Sequence, residues 1–232
     1  MTNSKLVEKE NKMTNSKLVE MVFVIDESGS MWNLAKDTIG GFNTVLKDQK
    51  EADKENGTTT KVTTVLFDNK PHFIHEGIDL NEVEELNEKS YSPNGGTALL
   101  DALGKAILSV GRRLRDMDES NRPGKVMVTV ITDGEENSSF EFRNEQIKNM
   151  IKHQEEKYSW IFNFIGANQD SFSVASHLGF NRYNTANYEA NTVGTASVYS
   201  AVSKRLLCAK RSVDFSVGAS LQEQVDNETS ND

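Results

Sequence analysis

The chain has 232 residues, enough for one large domain or a domain with tails, and its 36% hydrophobic content and mean hydropathy of −0.56 describe a soluble protein. No apolar run approaches the roughly 20 residues needed to span a bilayer, and the N-terminus lacks the basic-then-apolar pattern of a secretory signal, so the expected location is the cytoplasm, with no membrane partner. A net charge of −9 leaves no basic face for general nucleic-acid binding, and the single Cys208 excludes both an internal disulfide and a cysteine-rich zinc site.

Along the chain, Met1-Thr2-Asn3-Ser4-Lys5-Leu6-Val7-Glu8 returns verbatim as Met13-Thr14-Asn15-Ser16-Lys17-Leu18-Val19-Glu20. Two copies are too few for a solenoid, so the repeat reads as a doubled start or an expression scar, and residues 1–15 as a flexible extension. Only the second copy runs into an apolar stretch, which predicts a buried strand over 18–25. Leu34, Ile39, Phe42, Val45 and Leu46 predict an amphipathic helix over 33–53, in which Gly40-Gly41 marks either close packing or a kink. Asn56-Gly57 then turns the chain into a strand over 60–67. Asp68-Asn69-Lys70-Pro71 leads to an antiparallel edge partner at 72–75, and a short helix is expected near 81–86.

Asn94-Gly95-Gly96-Thr97 opens a helix over 98–117, whose Arg112-Arg113-Leu114-Arg115 cluster is read as offsetting the helix dipole. Asp101, one turn in, is read either as a cap or as support for a ligand. Strands follow at 125–132 and 160–167, with helices at 143–157, 170–178 and 193–213 and an edge strand at 182–184. Cys208 is expected to be buried on the last helix, and residues 216–232 to form an acidic disordered tail. The alternation predicts an α/β doubly wound, mostly parallel sheet with helices on both faces and one antiparallel edge strand, in a domain spanning 16–215.

Two strand ends carry chemistry. Val22-Phe23-Val24-Ile25 empties into Asp26-Glu27-Ser28-Gly29-Ser30, which sets a carboxylate and two hydroxyls at i, i+2 and i+4, and residues 126–132 run into Asp133-Gly134. Such hard, weakly charged oxygens suit Mg²⁺ or Mn²⁺. Alone, the first turn is equally well a plain strand-to-helix connection, since Asp, Ser and Gly are common loop and cap residues. With Thr97 and Asp133 in the same order, the set resembles the metal-ion-dependent adhesion site of von Willebrand factor A domains. The D-x-SGSM turn and the GGTALLDA segment are similar to those of small stand-alone bacterial members.

The resemblance spans residues 18–213. It implies Ser28, Ser30 and Thr97 as hydroxyl ligands of Mg²⁺ or Mn²⁺, and Asp26 and Asp133 bound directly or through water. It also implies a protein-binding module that captures an Asp or Glu carboxylate of a partner and is not an enzyme. Members of the wider group accompany tellurium-resistance modules or AAA+ ATPases, and nothing in this sequence selects either. A Mg²⁺-dependent hydrolase or phosphoryl-transfer enzyme is the alternative from another class. Against it stand the missing phosphate-binding loop, nucleophile elbow and paired aspartates. A structural scaffold without metal is the third reading.

Overall fold

In a computed structural model, the structure describes residues 14–167, 171–211 and 219–230. Six strands form one sheet in the order β3-β2-β1-β4-β5-β6: β1 (Asn15–Asp26), β2 (Thr59–Phe67), β3 (Pro71–Asp79), β4 (Pro123–Thr132), β5 (Ile161–Ala167) and β6 (Thr185–Tyr188). All neighbours are parallel except β2 and β3, which form the expected antiparallel edge. β1 lies centrally because both its faces are apolar. Met21, Phe23 and Ile25 enter one core layer, and Val22 and Val24 the other.

Helices α1 (Ala35–Asn56), α5 (Thr192–Arg211) and α6 (Leu221–Thr229) cover the first layer, and α2 (Leu99–Arg115), α3 (Asn144–Tyr158) and α4 (Ser171–Leu178) the second. α1 runs unbroken through Gly40-Gly41. A Cβ on Gly41 would lie 2.3 Å from the Tyr199 ring of α5, so the glycine permits close helix packing and makes no kink.

Several expectations are corrected. Leu221–Thr229 is not a disordered tail: Ser220 and Glu223 form a reciprocal cap, and Leu221 and Val225 are buried beside α5. Cys208 is exposed, because its neighbours Leu206 and Ala209 take the inward face of α5. Residues 182–184 form a 3-10 turn, capped by the Asn181 side chain, and the edge strand β6 starts at Thr185. The helix expected near 81–86 shrinks to a 3-10 turn at Leu80–Glu82. Of the flexible extension expected over residues 1–15, residues 1–13 lie outside the described residues, and Asn15 already belongs to β1.

Candidate cation site

The sheet places its two acidic turns side by side. Strand order reverses between β1 and β4, the point where open parallel sheets form a crevice at their carboxyl edge. Asp26 ends β1, and Asp133 directly follows β4.

Asp26 has no exposed surface. Its Oδ1 accepts the Ser28 backbone N–H at 2.7 Å, and its Oδ2 accepts the Thr132 hydroxyl. Burial nonetheless raises its pKa, and the nearby Asp133 carboxylate adds to the rise. Ser28 Oγ and Ser30 Oγ are 2.9 Å apart, and Ser30 Oγ donates to Asp133 Oδ1 at 2.6 Å. Burial also raises the pKa of Asp133.

Thr97 arrives from a separate loop that is laced to both turns. Gly29 N–H donates to Gly95 O at 3.1 Å, Asn94 N–H to Glu27 O at 2.8 Å, and Tyr91 Oη to Asp26 O at 2.6 Å. On the other side Thr97 N–H donates to Asn137 Oδ1 at 2.9 Å, and Thr97 O accepts from the backbones of Asn137 and Ser138. A Cβ on Gly134 would sit 2.7 Å from Thr97 Oγ1, 3.2 Å from Asp26 Oδ2 and 3.4 Å from Ser28 Oγ. Oxygens from two chain segments, the turn after β1 and the loop before α2, thus crowd the same side of Gly134, a close approach that a side chain at 134 would disturb.

The structure therefore brings Asp26, Ser28, Ser30, Thr97 and Asp133 into one cluster. Two carboxylates and three hydroxyls fit a small hard cation. Among the described residues no three His, Cys, Asp or Glu side chains gather as a cation site, so a cation here would depend on hydroxyl oxygen.

Asp101 serves differently. Its carboxylate accepts backbone N–H bonds from Phe140, Glu141 and Phe142 at 2.9–3.0 Å and so ties the loop after β4 to α2. That loop reciprocates at the α2 N-terminus: Glu136 Oε2 accepts the Leu100 N–H and Ser139 Oγ the Asp101 N–H. Sequence reasoning missed Thr132 and the steric role of Gly134. Both adjoin Asp133, but nothing local in Thr-Asp-Gly reveals that Thr132 reaches a residue 106 positions away.

No protein-family model and no curated protein matches the chain. Solved structures do. The PilB minor pilin from Streptococcus sanguinis superposes with a TM-score of 0.59 at 14% identity over 82% of this chain and 61% of its own. A von Willebrand factor type A protein from Catenulispora acidiphila gives 0.52 at 15% identity over 84% of this chain and 43% of its own. The fold is that of a von Willebrand factor A domain. The manganese-loaded TRAP protein of Plasmodium vivax shares this fold at a TM-score of 0.51 and 15% identity, over 76% of this chain and 70% of its own. The chain thus spans less than two thirds of the pilin and under half of the Catenulispora protein.

Proposed function

We propose that the chain is a divalent-cation-dependent protein-binding module that captures an Asp or Glu carboxylate of a partner in the cytoplasm and performs no chemistry on it. The observation that carries this reading is the space beside Gly134, bordered by oxygens of Thr97, Asp26 and Ser28. The von Willebrand fold and the manganese carried by the TRAP neighbour add support.

Ser28, Ser30 and Thr97 would hold Mg²⁺ or Mn²⁺ through hydroxyl oxygen, with Asp26 and Asp133 bound directly or through water. The cation would supply an electrophile for an incoming carboxylate. Without it, Asp26 and Asp133 repel the same carboxylate, so capture is switched by the metal. Asp26 is fixed at both oxygens by Ser28 and Thr132, which suits positioning better than proton transfer.

Calorimetric titration of Mn²⁺ and Mg²⁺ tests the assignment. Wild type should give a saturable heat. Asp26→Ala should lose it, and Gly134→Ala should lose about tenfold or more in affinity, since its methyl takes the space among the oxygens. Gly134 is not among the glycines with positive φ, so alanine there meets no φ penalty, and the clash falls on side-chain oxygens at the site; the melting temperature in chelator should drop by no more than a few degrees. Equal heats in all three proteins, or none in wild type at millimolar metal, would refute the site.

A further inference from the structure

A groove of about 610 Å³ lies at the opposite edge of the sheet. Its walls are the C-terminal ends of α2 and α3 and the amino ends of β1 and β4, where Thr14, Pro123 and Gly124 line it. Leu114, Val126 and Trp160 form an apolar floor that Leu108 and Tyr158 extend to the surface at 48% and 58% exposure. These two are among only five large hydrophobic side chains left exposed in the described residues.

The rim is basic in an acidic protein: Arg112, Arg115, Arg122 and Lys157 face a single acidic lining residue, Glu119. Arg122 is committed to the backbone, donating to Met117 O and Arg115 O, and Arg115 shares an exposed contact with Asp116. Arg112 and Lys157 have no carboxylate within 4.0 Å among the described residues. Helix dipoles account for positive charge at two helix C-termini, but they do not call for an exposed leucine and tyrosine between the charges.

We propose that this groove docks an acidic peptide segment of a partner protein, with an apolar side chain seated over Leu108, Trp160 and Tyr158 and its carboxylates against Arg112 and Lys157. The chain's own N-terminal stretch is a poor occupant. The residues before Thr14 carry Lys5, Lys9 and Lys12 against Glu8 and Glu10, the same sign as the rim. The groove and the cation site lie at opposite ends of the central strands, a separation of about 30 Å for the ten residues of β4. One molecule could therefore hold two partners at once.

The test uses the full chain with Trp32→Phe. The chain has two tryptophans and Trp32, 69% exposed, lies at the far edge, so this change leaves Trp160 as the groove's reporter. The probe is a synthetic nonapeptide with a Leu-Leu pair flanked by glutamates and aspartates, titrated in chelator so that the cation site contributes nothing. Trp160 emission should shift saturably, with affinity falling several-fold between about 20 and 200 mM salt. The double reversal Arg112→Glu/Lys157→Glu should weaken binding by about tenfold or more, while the melting temperature falls by only a few degrees, the cost of two acidic groups at helix C-termini. Both residues are exposed, and among the described residues neither pairs with a carboxylate that the change would strand. Absence of a saturable shift, equal binding of a lysine-substituted peptide, or indifference to the reversal would each overturn the proposal. So would a tenfold gain on deleting residues 2–12, because the chain's own N-terminus would then be the occupant.

Discussion

Asp26 lacks solvent on every side, yet it accepts two hydrogen bonds; burial raises its pKa above the ordinary 3.8 despite them. A carboxyl group that holds its proton more tightly when folded destabilises the fold once ionised. In chelator, stability should therefore fall as pH rises from 3.8 through the raised folded value, then level off. Asp26→Asn removes this cost. The Thr132 hydroxyl can turn to accept from the new amide while donating to Gly134 O, 3.2 Å away. Scanning calorimetry in chelator at neutral pH should show Asp26→Asn melting above wild type. The difference should vanish below pH 3.8, and added Mn²⁺ should raise the melting point of wild type only. A lower melting point for the variant at neutral pH would show that the ionised carboxylate stabilises the fold.

Among the elements, the attachment of the loop after β4 to α2 determines where Thr97 and Asp133 stand relative to each other. Asp101 accepts three backbone N–H groups of that loop, and alanine there would strand all three. With about 1 kcal/mol per lost bond, Asp101→Ala should cost about 2–4 kcal/mol in urea unfolding. Amide exchange should accelerate at 140–142 well before it does in β4. If exchange there is unchanged, the loop is held by Glu136 and Ser139 instead.

β1 and α2 are joined by a second polar device. Glu20, fully buried in the central strand, accepts from Arg113 at 2.7 Å and from Thr63 at 2.9 Å. Burial raises the Glu20 pKa although Arg113 opposes the rise. The arginine cluster therefore does more than offset a dipole. Arg113→Met should cost about 3 kcal/mol by leaving a buried carboxylate with only the Thr63 hydroxyl and no paired charge, whereas the double variant Glu20→Met/Arg113→Met should regain most of it. Chemical denaturation of the three proteins checks this. A double variant no more stable than Arg113→Met would mean that the ion pair itself contributes the stability.

For the whole molecule, β1 begins at Asn15, inside the second copy of the duplicated octapeptide, and already pairs with β4 there. Deleting residues 2–12 should leave the melting temperature within about 2 °C of the full chain, as for a change of well under 1 kcal/mol. A larger loss would assign those residues a structural contact. The far end of the chain is another matter. α6 buries Leu221 and Val225, and Glu228 bonds Ser200 at 2.6 Å and pairs with Lys204. Truncation at Ser220 should therefore destabilise the domain.

Runs such as Val22-Phe23-Val24-Ile25 and Val126-Met127-Val128 identify buried strands because local apolar pattern and strand period are properties of neighbours in the chain. Asp26-x-Ser-x-Ser by itself reads equally well as a plain connection, and it is the resemblance to von Willebrand factor A domains, carried by the order of Asp26-x-Ser-x-Ser, Gly-Gly-Thr97 and Asp133-Gly, that singles out the five site residues. The alternation of strands and helices was therefore legible, as were the five residues that the structure clusters. Tertiary structure alone decided what depends on distant partners. Thr132 was invisible as the support of Asp26 until β4 lay beside β1, and Gly134 mattered only once Thr97 arrived from another loop. The polar composition of residues 221–229 suggested disorder because two buried anchors, Leu221 and Val225, are too few to show as a period. Only the surface offered by α5 and β6 supplies the burial that offsets the cost of ordering them.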